Sequence, residues 1–230
     1  MHVETLNALP PRQSADVMAL CVRATTHDGV KPLSEQSVLD ARRLPSEGAA
    51  STPTTHLLVF DVPGEINARV IGYAHIEHPL PAGHAEHVEP ATYEVVIHPE
   101  HRGQGLGHGL LDQILSAWPN ARGWAHGNLD AAQALASSHD LRAVRELWQM
   151  ARPLDREDSG SLPEVDLPEG FAVRSFEVGR DEEAWLAVNA EAFAEHGEQG
   201  RTTSQDLQDR MKETWFDPHG FLLIEDVSDP

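Results

Sequence analysis

The stretch Val96-Ile-His-Pro-Glu-His-Arg-Gly-Gln-Gly-Leu-Gly107 joins a run of strand-forming residues to a helix through a glycine-rich turn. Gly103, Gly105 and Gly107 lack the side chains that would hold the backbone away from a ligand. The helix that follows directs its unpaired N–H groups and the positive end of its dipole toward the same turn. Arg102 adds one full positive charge. This strand–turn–helix unit therefore predicts a binding site for a pyrophosphate.

Two other glycine motifs are excluded by the letters. The dinucleotide fingerprint G-x-G-x-x-G fails because its third glycine would fall on His108 or on Leu110. A phosphate-binding P-loop needs Gly-Lys followed by Ser or Thr, which the sequence lacks. The remaining spacing, Arg-x-x-Gly-x-Gly, resembles the acetyl-CoA signature of the GNAT superfamily of N-acetyltransferases. A plain strand–turn–helix corner without a ligand is the structural alternative.

Charge and hydropathy narrow the class of partner. The chain has 37 acidic and 17 basic residues among 230, for a formal net charge of −20. This balance argues against nucleic acid or an anionic membrane as the partner. CoA is also an anion, so its binding must rely on local donors such as the turn amides and Arg102. We see neither an apolar run of ~18 residues nor a signal peptide, and we expect a cytoplasmic monomer acting on a small molecule.

Cysteine and histidine usage argues against a metal site. The single cysteine, Cys21, excludes an internal disulfide and a cysteine-based zinc site, and its place in a predicted helix indicates a small core residue. Three histidine pairs have i, i+3 spacing but fall in predicted strand ends and loops, where this spacing does not define one face. These pairs are His75/His78, His84/His87 and His98/His101.

Hydrophobic periodicity predicts an alternating α/β order in the first half of the chain. The predicted strands are Val3–Thr5, His56–Val62, Arg69–Glu77, Tyr93–Ile97, Gly123–His126 and Ala143–Met150. The predicted helices are Arg12–Thr26, Ser34–Leu44, Gly107–Trp118 and Ala131–His139, with loops at Pro45–Thr55 and His78–Pro90. The order β-α-α-β-β-β-α-β-α-β is that of the GNAT fold, a mixed central sheet flanked by helices.

The second half begins the same order again. It has a predicted strand at Phe171–Phe176, helices at Asp181–Phe193 and Ser204–Thr214 around a polar loop at Gly197–Thr203, and a strand at Phe221–Val227. The letters FLLIEDV of the last strand mirror HLLVFDV in the first half. We therefore predict a GNAT domain over residues 1–152, a linker over 153–169, and over 170–230 the first part of a second GNAT domain, truncated at its end.

Several segments resemble one family, the mycothiol synthases (mycothiol acetyltransferases), which have two GNAT domains in tandem. The matching segments are Thr25–Val30 with Ser34–Gln36, Trp124–Gly127, Arg145–Leu147 with Met150–Leu154, Asn189–Phe193, His196–Gly200 and Trp215–Pro218. The resemblance implies acetyl transfer from acetyl-CoA to the cysteinyl amine of a cysteinyl-glucosaminyl-inositol, which yields mycothiol. In that family the second domain is regarded as the active one.

The resemblance also implies roles for individual residues. The backbone of Val95, Val96 and Ile97 would pair with the pantetheine arm of acetyl-CoA, and the turn from Arg102 to His108 would hold its pyrophosphate. The turn comprises Arg102, Gly103, Gln104, Gly105, Leu106, Gly107 and His108. Glu35 and Glu198 match acidic positions that contact the acceptor, and Asp28 is a further candidate. The family's His-Pro-Glu-Gln is His-Gly-Glu-Gln here, which loosens the loop around Glu198.

Catalytic groups are the part of the site that the sequence leaves unassigned. The resemblance implies that the base and the acid come from later strands of the second domain, beyond Pro230, so we expect the given chain to bind acetyl-CoA but to lack the catalytic half. Glu94 is a carboxylate close to the expected thioester, but it does not match the family's catalytic position. Two alternatives remain at this point. One is a GNAT enzyme for another small amine, and the other is a non-catalytic module that binds acetyl-CoA.

Overall fold

The computed structural model describes residues 2–43, 53–65, 68–78, 90–152, 165–194 and 202–228. The chain divides into two compact units, residues 1–142 and 143–230, here called unit 1 and unit 2. No helix within these described ranges is both long enough and apolar enough to cross a membrane.

Unit 1 is built on a five-stranded sheet. Its strands are β1 Val3–Leu6, β2 Thr54–Phe60, β3 Val70–Glu77, β4 Thr92–Ile97 and β5 Arg122–Gly123, and its helices are α1 Pro11–Asp28, α2 Glu35–Arg42, α3 Leu106–Ala117 and α4 Asp130–Ser138. The strands lie in the order β1-β2-β3-β4-β5. The first four pair antiparallel, whereas β4 and β5 pair parallel. The sheet is therefore mixed, as the sequence predicts.

Each face of this sheet buries its own apolar cluster, because successive strand residues point to opposite faces. One cluster joins the α1 residues Val17, Leu20, Cys21 and Ala24 to Leu58, Tyr73 and Val96 of the sheet. The other joins Leu110, Leu111 and Ile114 of α3 to Leu57, Val59, Ala74 and Ile76. The predicted core position of Cys21 is thereby confirmed. With helices covering both faces, β4 is fixed from two sides.

Two segments, at the end of unit 1 and the start of unit 2, differ from the sequence prediction. The strand expected at Gly123–His126 is the two-residue β5, Arg122–Gly123, followed by a 3-10 turn at His126–Asn128. The strand expected at Ala143–Met150 is wrong, since residues 141–152 form no regular secondary structure and Trp148 and Met150 are exposed. A strand needs a neighbour for its backbone groups, and none of the described strands pairs with these residues.

Unit 2 contains a two-stranded antiparallel sheet and two helices. Its elements are β6 Phe171–Ser175, α5 Glu182–Ala192, α6 Ser204–Met211 and β7 Leu222–Asp226. This β-α-α-β order is also that of β1, α1, α2 and β2 in unit 1. Its interpretation as part of a second GNAT domain, with the limits 153–169 and 170–230, stays a prediction. Residues 197–201 of the predicted polar loop lie outside the described ranges.

Candidate active site

The end of β4 leaves one edge of the sheet open. The carbonyls of Ala91 and Tyr93 accept hydrogen bonds from the backbone N–H groups of Arg122 and Trp124, at 2.8 and 3.0 Å. The register of β4 with β5 ends at Tyr93 and Gly123. Because alternate residues of a strand direct their backbone groups to the same edge, those of Val95 point toward the open side. An extended ligand arm can pair with such an edge as an added strand.

Val96 is placed differently from its neighbours. Its backbone belongs to the edge that pairs with β3, opposite Tyr73, and its side chain is buried on the α1 face. Ile97 directs its carbonyl toward the turn, where the Nε of Arg102 donates to it at 3.1 Å. Of the three residues predicted to line the pantetheine arm, Val96 therefore faces β3, whereas Val95 and Ile97 belong to the open edge, where Arg102 already engages the Ile97 carbonyl.

The glycine turn has the geometry that the sequence predicts for an anion site. Gly103 and Gly105 have φ of +73° and +81°, a backbone region that residues other than glycine rarely adopt. Gly105 is the N-cap of α3 without a side-chain hydrogen bond, so the N–H groups of the first helical turn point outward. A Cβ on Gly107 would lie 3.3 Å from the Cδ2 of Leu135. Gly107 therefore allows α3 to approach α4 closely.

Arg102 is engaged by Asp28 rather than directed into solvent. Its Nη1 and Nη2 each donate to one carboxylate oxygen of Asp28, both at 2.7 Å. The Asp28 side chain is 9% exposed and that of Arg102 is 27% exposed. This hydrogen bond holds the pKa of Asp28 down at about 2. The sequence predicts Arg102 as a positive charge for the pyrophosphate and Asp28 as an acceptor contact, whereas the structure brings the two together beside the turn.

Glu94 lies on the α1/α2 face of the sheet, just beyond the last pair of β4 with β5. Its carboxylate accepts hydrogen bonds from the backbone N–H of Ser34, at 2.9 Å, and from Nε2 of His126, at 2.8 Å. Burial raises the pKa of Glu94, but the bonds from His126 and Ser34 outweigh it and the net shift is downward. The bond to Glu94 in turn raises the pKa of His126. Glu94 therefore joins the start of α2 to the turn after β5.

A second cluster of polar side chains, formed by Ser37, His75 and Asp40, lies near Glu94. The Oγ of Ser37 lies 3.0 Å from Nδ1 of His75, which is opposite Glu94 in the register of β3 and β4. Asp40 places a carboxylate oxygen 3.3 Å from Nε2 of the same ring. Burial lowers the pKa of neighbouring His56 to about 4, so that this ring is neutral at pH 7. These polar side chains are all buried within unit 1.

The other predicted site residues have mixed outcomes. Glu35 is exposed at the first position of α2, next to the N-cap Ser34. His108 is exposed in the first turn of α3. Glu198 and the pair His84/His87 lie outside the described ranges. Within those ranges, no group of three or more His, Cys, Asp or Glu side chains is arranged to hold a metal ion.

His126 is the site residue that the sequence analysis missed. It lies in the segment Trp124–Gly127, which carries the family resemblance, but its spacing to Glu94 along the chain gives no sign of contact. The parallel pairing of β4 with β5 is what brings the two residues together, 32 positions apart.

Comparison with known proteins agrees with this architecture. Residues 55–144 match the model of the family described as Acetyltransferase (GNAT) domain. The crystal structure of a GCN5-related N-acetyltransferase from Sphaerobacter thermophilus superposes with a TM-score of 0.54 at 21% identity, covering 98% of this chain and 68% of that chain. The fold and the glycine turn thus define a GNAT N-acetyltransferase.

Sequence relatives narrow the class to one family. The mycothiol acetyltransferase of Streptomyces coelicolor is 46% identical over 224 residues, which are 97% of this chain and 67% of the relative. That of Streptomyces bingchenggensis is 42% identical over 225 residues, which are 97% and 68% of the two chains. The chain belongs to the mycothiol acetyltransferase family, and it spans about two thirds of the length of these relatives.

Proposed function

We propose that this chain binds acetyl-CoA at the end of β4 and serves acetyl transfer to the cysteinyl amine of a cysteinyl-glucosaminyl-inositol, which forms mycothiol. The observation that carries the proposal is the turn from Arg102 to Gly107, with two left-handed glycines leading into the uncapped start of α3. Family membership supports the choice of acceptor. The proposal includes a monomer that acts in the cytoplasm without a metal.

The two halves of acetyl-CoA meet different parts of unit 1 in this proposal. The pyrophosphate takes hydrogen bonds from the N–H groups of the turn and of the first turn of α3, where the helix dipole also favours an anion. The pantetheine arm pairs with the open edge at Val95. Because these donors are backbone groups, the site binds an anion despite the net charge of −20.

The reaction at the thioester end of acetyl-CoA is an aminolysis. The neutral amine attacks the carbonyl carbon, the C–S bond breaks, and the leaving thiolate takes a proton. A backbone N–H beside the open edge can stabilise the oxyanion that forms during the attack. His126 suits the proton acceptor better than Glu94, because the His126 side chain is 29% exposed and that of Glu94 only 5%. Glu94 would then hold the imidazole through Nε2 and leave Nδ1 available.

Binding of acetyl-CoA is tested by titration calorimetry on Gly105→Glu. The added carboxylate would repel the pyrophosphate, and the residue cannot adopt φ of +81° without strain, so binding should be lost. Gly64→Glu is the matched control, because Gly64 has φ of +83° and equally open space but lies in the turn between β2 and β3. Equal losses in both variants would contradict the proposed turn site.

The acceptor role of Glu35 is tested by Glu35→Gln. If Glu35 contacts the acceptor, the KM for the cysteinyl-glucosaminyl-inositol should rise while the Kd for acetyl-CoA stays the same. Glu183→Gln is the control, because Glu183 also lies in the first turn of a helix and loses the same favourable interaction with the dipole. A Glu35→Gln variant with an unchanged KM would exclude this contact. A panel of other small amines, followed by CoA release, tests whether the acceptor class is broader.

A further inference from the structure

We propose that Asp28 is a positioning residue for acetyl-CoA: it holds Arg102 so that the turn presents its backbone N–H groups to the pyrophosphate. The inference rests on the proposed binding of acetyl-CoA at this turn. It gives Asp28 a part in binding the donor, not the acceptor, and it gives Arg102 a role in shaping the turn in place of a direct charge contact.

The hydrogen bonds of Arg102 are the first support. Its two Nη atoms form a bidentate pair with Asp28, and its Nε donates to the carbonyl of Ile97 at the end of β4. A guanidinium that is bound on all three nitrogens is fixed in plane and direction. Arg102 therefore ties the turn to α1 on one side and to β4 on the other.

The location of Asp28 is the second support. It is the last residue of α1, followed by the left-handed cap Gly29. A carboxylate in the last turn of a helix meets the negative end of the dipole, and at 9% exposure it has also lost most of its water. Both effects are unfavourable unless a cation compensates them. The bidentate pairing with Arg102 supplies the larger part of that compensation, beside the contact of Asp28 Oδ1 with Nδ1 of His27 at 2.9 Å.

The exposure of the turn is the third support. Gly103, Gln104 and Gly105 are all exposed, whereas the side chains of Asp28 and Arg102 are less exposed. With the Arg102 charge neutralised by Asp28, the groups that face an incoming anion are backbone N–H groups. These donors bind only if the turn keeps its shape.

The test compares acetyl-CoA affinity in Asp28→Asn and the wild-type full chain by titration calorimetry. Loss of a charge-assisted bidentate pair should raise the Kd by about ten- to a hundredfold. Asp16→Asn is the matched control, because Asp16 lies on the same helix about 18 Å away, faces Arg12 at 3.9 Å, and loses the same charge. Its Kd should stay within about twofold of wild type.

The sign of the change separates the explanations. If Asp28 competes with the pyrophosphate for Arg102, its removal would free the guanidinium and lower the Kd. If Asp28 contacts the acceptor, the Kd for acetyl-CoA would not move and the acceptor KM would rise. Either result overturns the positioning role. If wild type itself fails to bind acetyl-CoA, the proposed function fails first.

Two further measurements exclude general damage to the fold. S-acetylpantetheine lacks the pyrophosphate, so its affinity in a competition assay should be the same in wild type and Asp28→Asn; equal losses for both ligands would overturn the proposal. Arg102→Lys keeps the positive charge but cannot form the bidentate pair with Asp28, so it should weaken acetyl-CoA binding as much as Asp28→Asn does. If Arg102→Lys binds acetyl-CoA with near wild-type affinity, then the charge at this position is sufficient, and the positioning role of Asp28 would be overturned.

Discussion

Units 1 and 2 are stabilised in different ways. Unit 1 buries two apolar clusters on the two faces of a five-stranded sheet. Unit 2 has a two-stranded sheet with an exposed apolar face, an ion-paired junction at Arg174, and a cluster of the rings Phe176, Trp185, Phe216 and Phe221. The exposed apolar residues of that sheet are Phe171, Val173, Leu222 and Ile224. The proposed binding through backbone groups requires a rigid turn, and unit 1 has the packing to hold the turn rigid.

The largest expected contrast comes from one substitution made in each unit. Leu110→Ala removes a side chain that is 0% exposed in the α3 cluster, and should lower the free energy of unfolding by about 2–5 kcal/mol. Leu222→Ala removes one that is 59% exposed, and should change it by less than about 0.5 kcal/mol. Urea unfolding of both variants measures the difference. A similar cost for both would show that the β6–β7 face is covered in solution.

A smaller effect is expected from Glu94→Gln within unit 1. The variant removes the charge that two donors share, and should lower the free energy of unfolding by about 1–3 kcal/mol near pH 6. The raised pKa of His126 contributes stability below its ordinary 6.5, which is lost as pH rises through the raised value. The lowered pKa of Glu94 contributes stability above its ordinary value of 4.5, and this stability is lost as the pH falls through the lowered value.

Unfolding curves collected from pH 4 to pH 9 test this pH dependence. The difference between wild type and Glu94→Gln should be largest between the two ordinary values, where both groups are charged, and should shrink at either end. His219→Gln in unit 2 serves as the control, because His219 is an exposed histidine outside the site. A pH-independent difference between wild type and Glu94→Gln would mean that Glu94 acts only through packing.

In unit 2 we expect a local effect from Arg174→Gln. Arg174 donates to both oxygens of Asp181 and to Glu225, joining β6 to the start of α5 and to β7. Its loss should increase hydrogen exchange over residues 171–181 while leaving exchange in β2 to β4 unchanged. Arg180→Gln is the milder comparison, because the Arg180 side chain is 59% exposed in its pair with Glu177. Faster exchange throughout the chain would show that the two units unfold together.

The smallest perturbation uses the native Cys21. Burial raises the pKa of its thiol to about 12, so the folded protein should react with a disulfide reagent at pH 8 at least about a hundredfold more slowly than the urea-unfolded chain. The sequence contains a single cysteine, so the absorbance change reports unit 1 alone. Rapid labelling of the folded protein would indicate that α1 opens locally and that unit 1 is less rigid than its packing indicates.

Much of the architecture could be predicted from local sequence signals. The periodicity of Val17, Leu20, Cys21 and Ala24 predicts α1, and Gly29 ends it one residue after Asp28. The same holds for α3, which is predicted at Gly107–Trp118 and spans Leu106–Ala117. The strand expected at Ala143–Met150 is the counterexample: its residues favour a strand, but a strand also requires a partner, and none of the described strands pairs with it.

The sequence by itself determined the glycine turn, the α/β order and the family, because φ preferences, periodicity and short motifs are local properties of the chain. Only the tertiary structure decided which charges meet. Asp28 and Arg102 are 74 residues apart, and Glu94 and His126 are 32 apart. Neither pair has a signal in the letters, since contact between them arises from the packing of α1 on the sheet and from the parallel pairing of β4 with β5. That packing places Arg102, which the sequence predicts as a charge for the pyrophosphate, in an ion pair with Asp28.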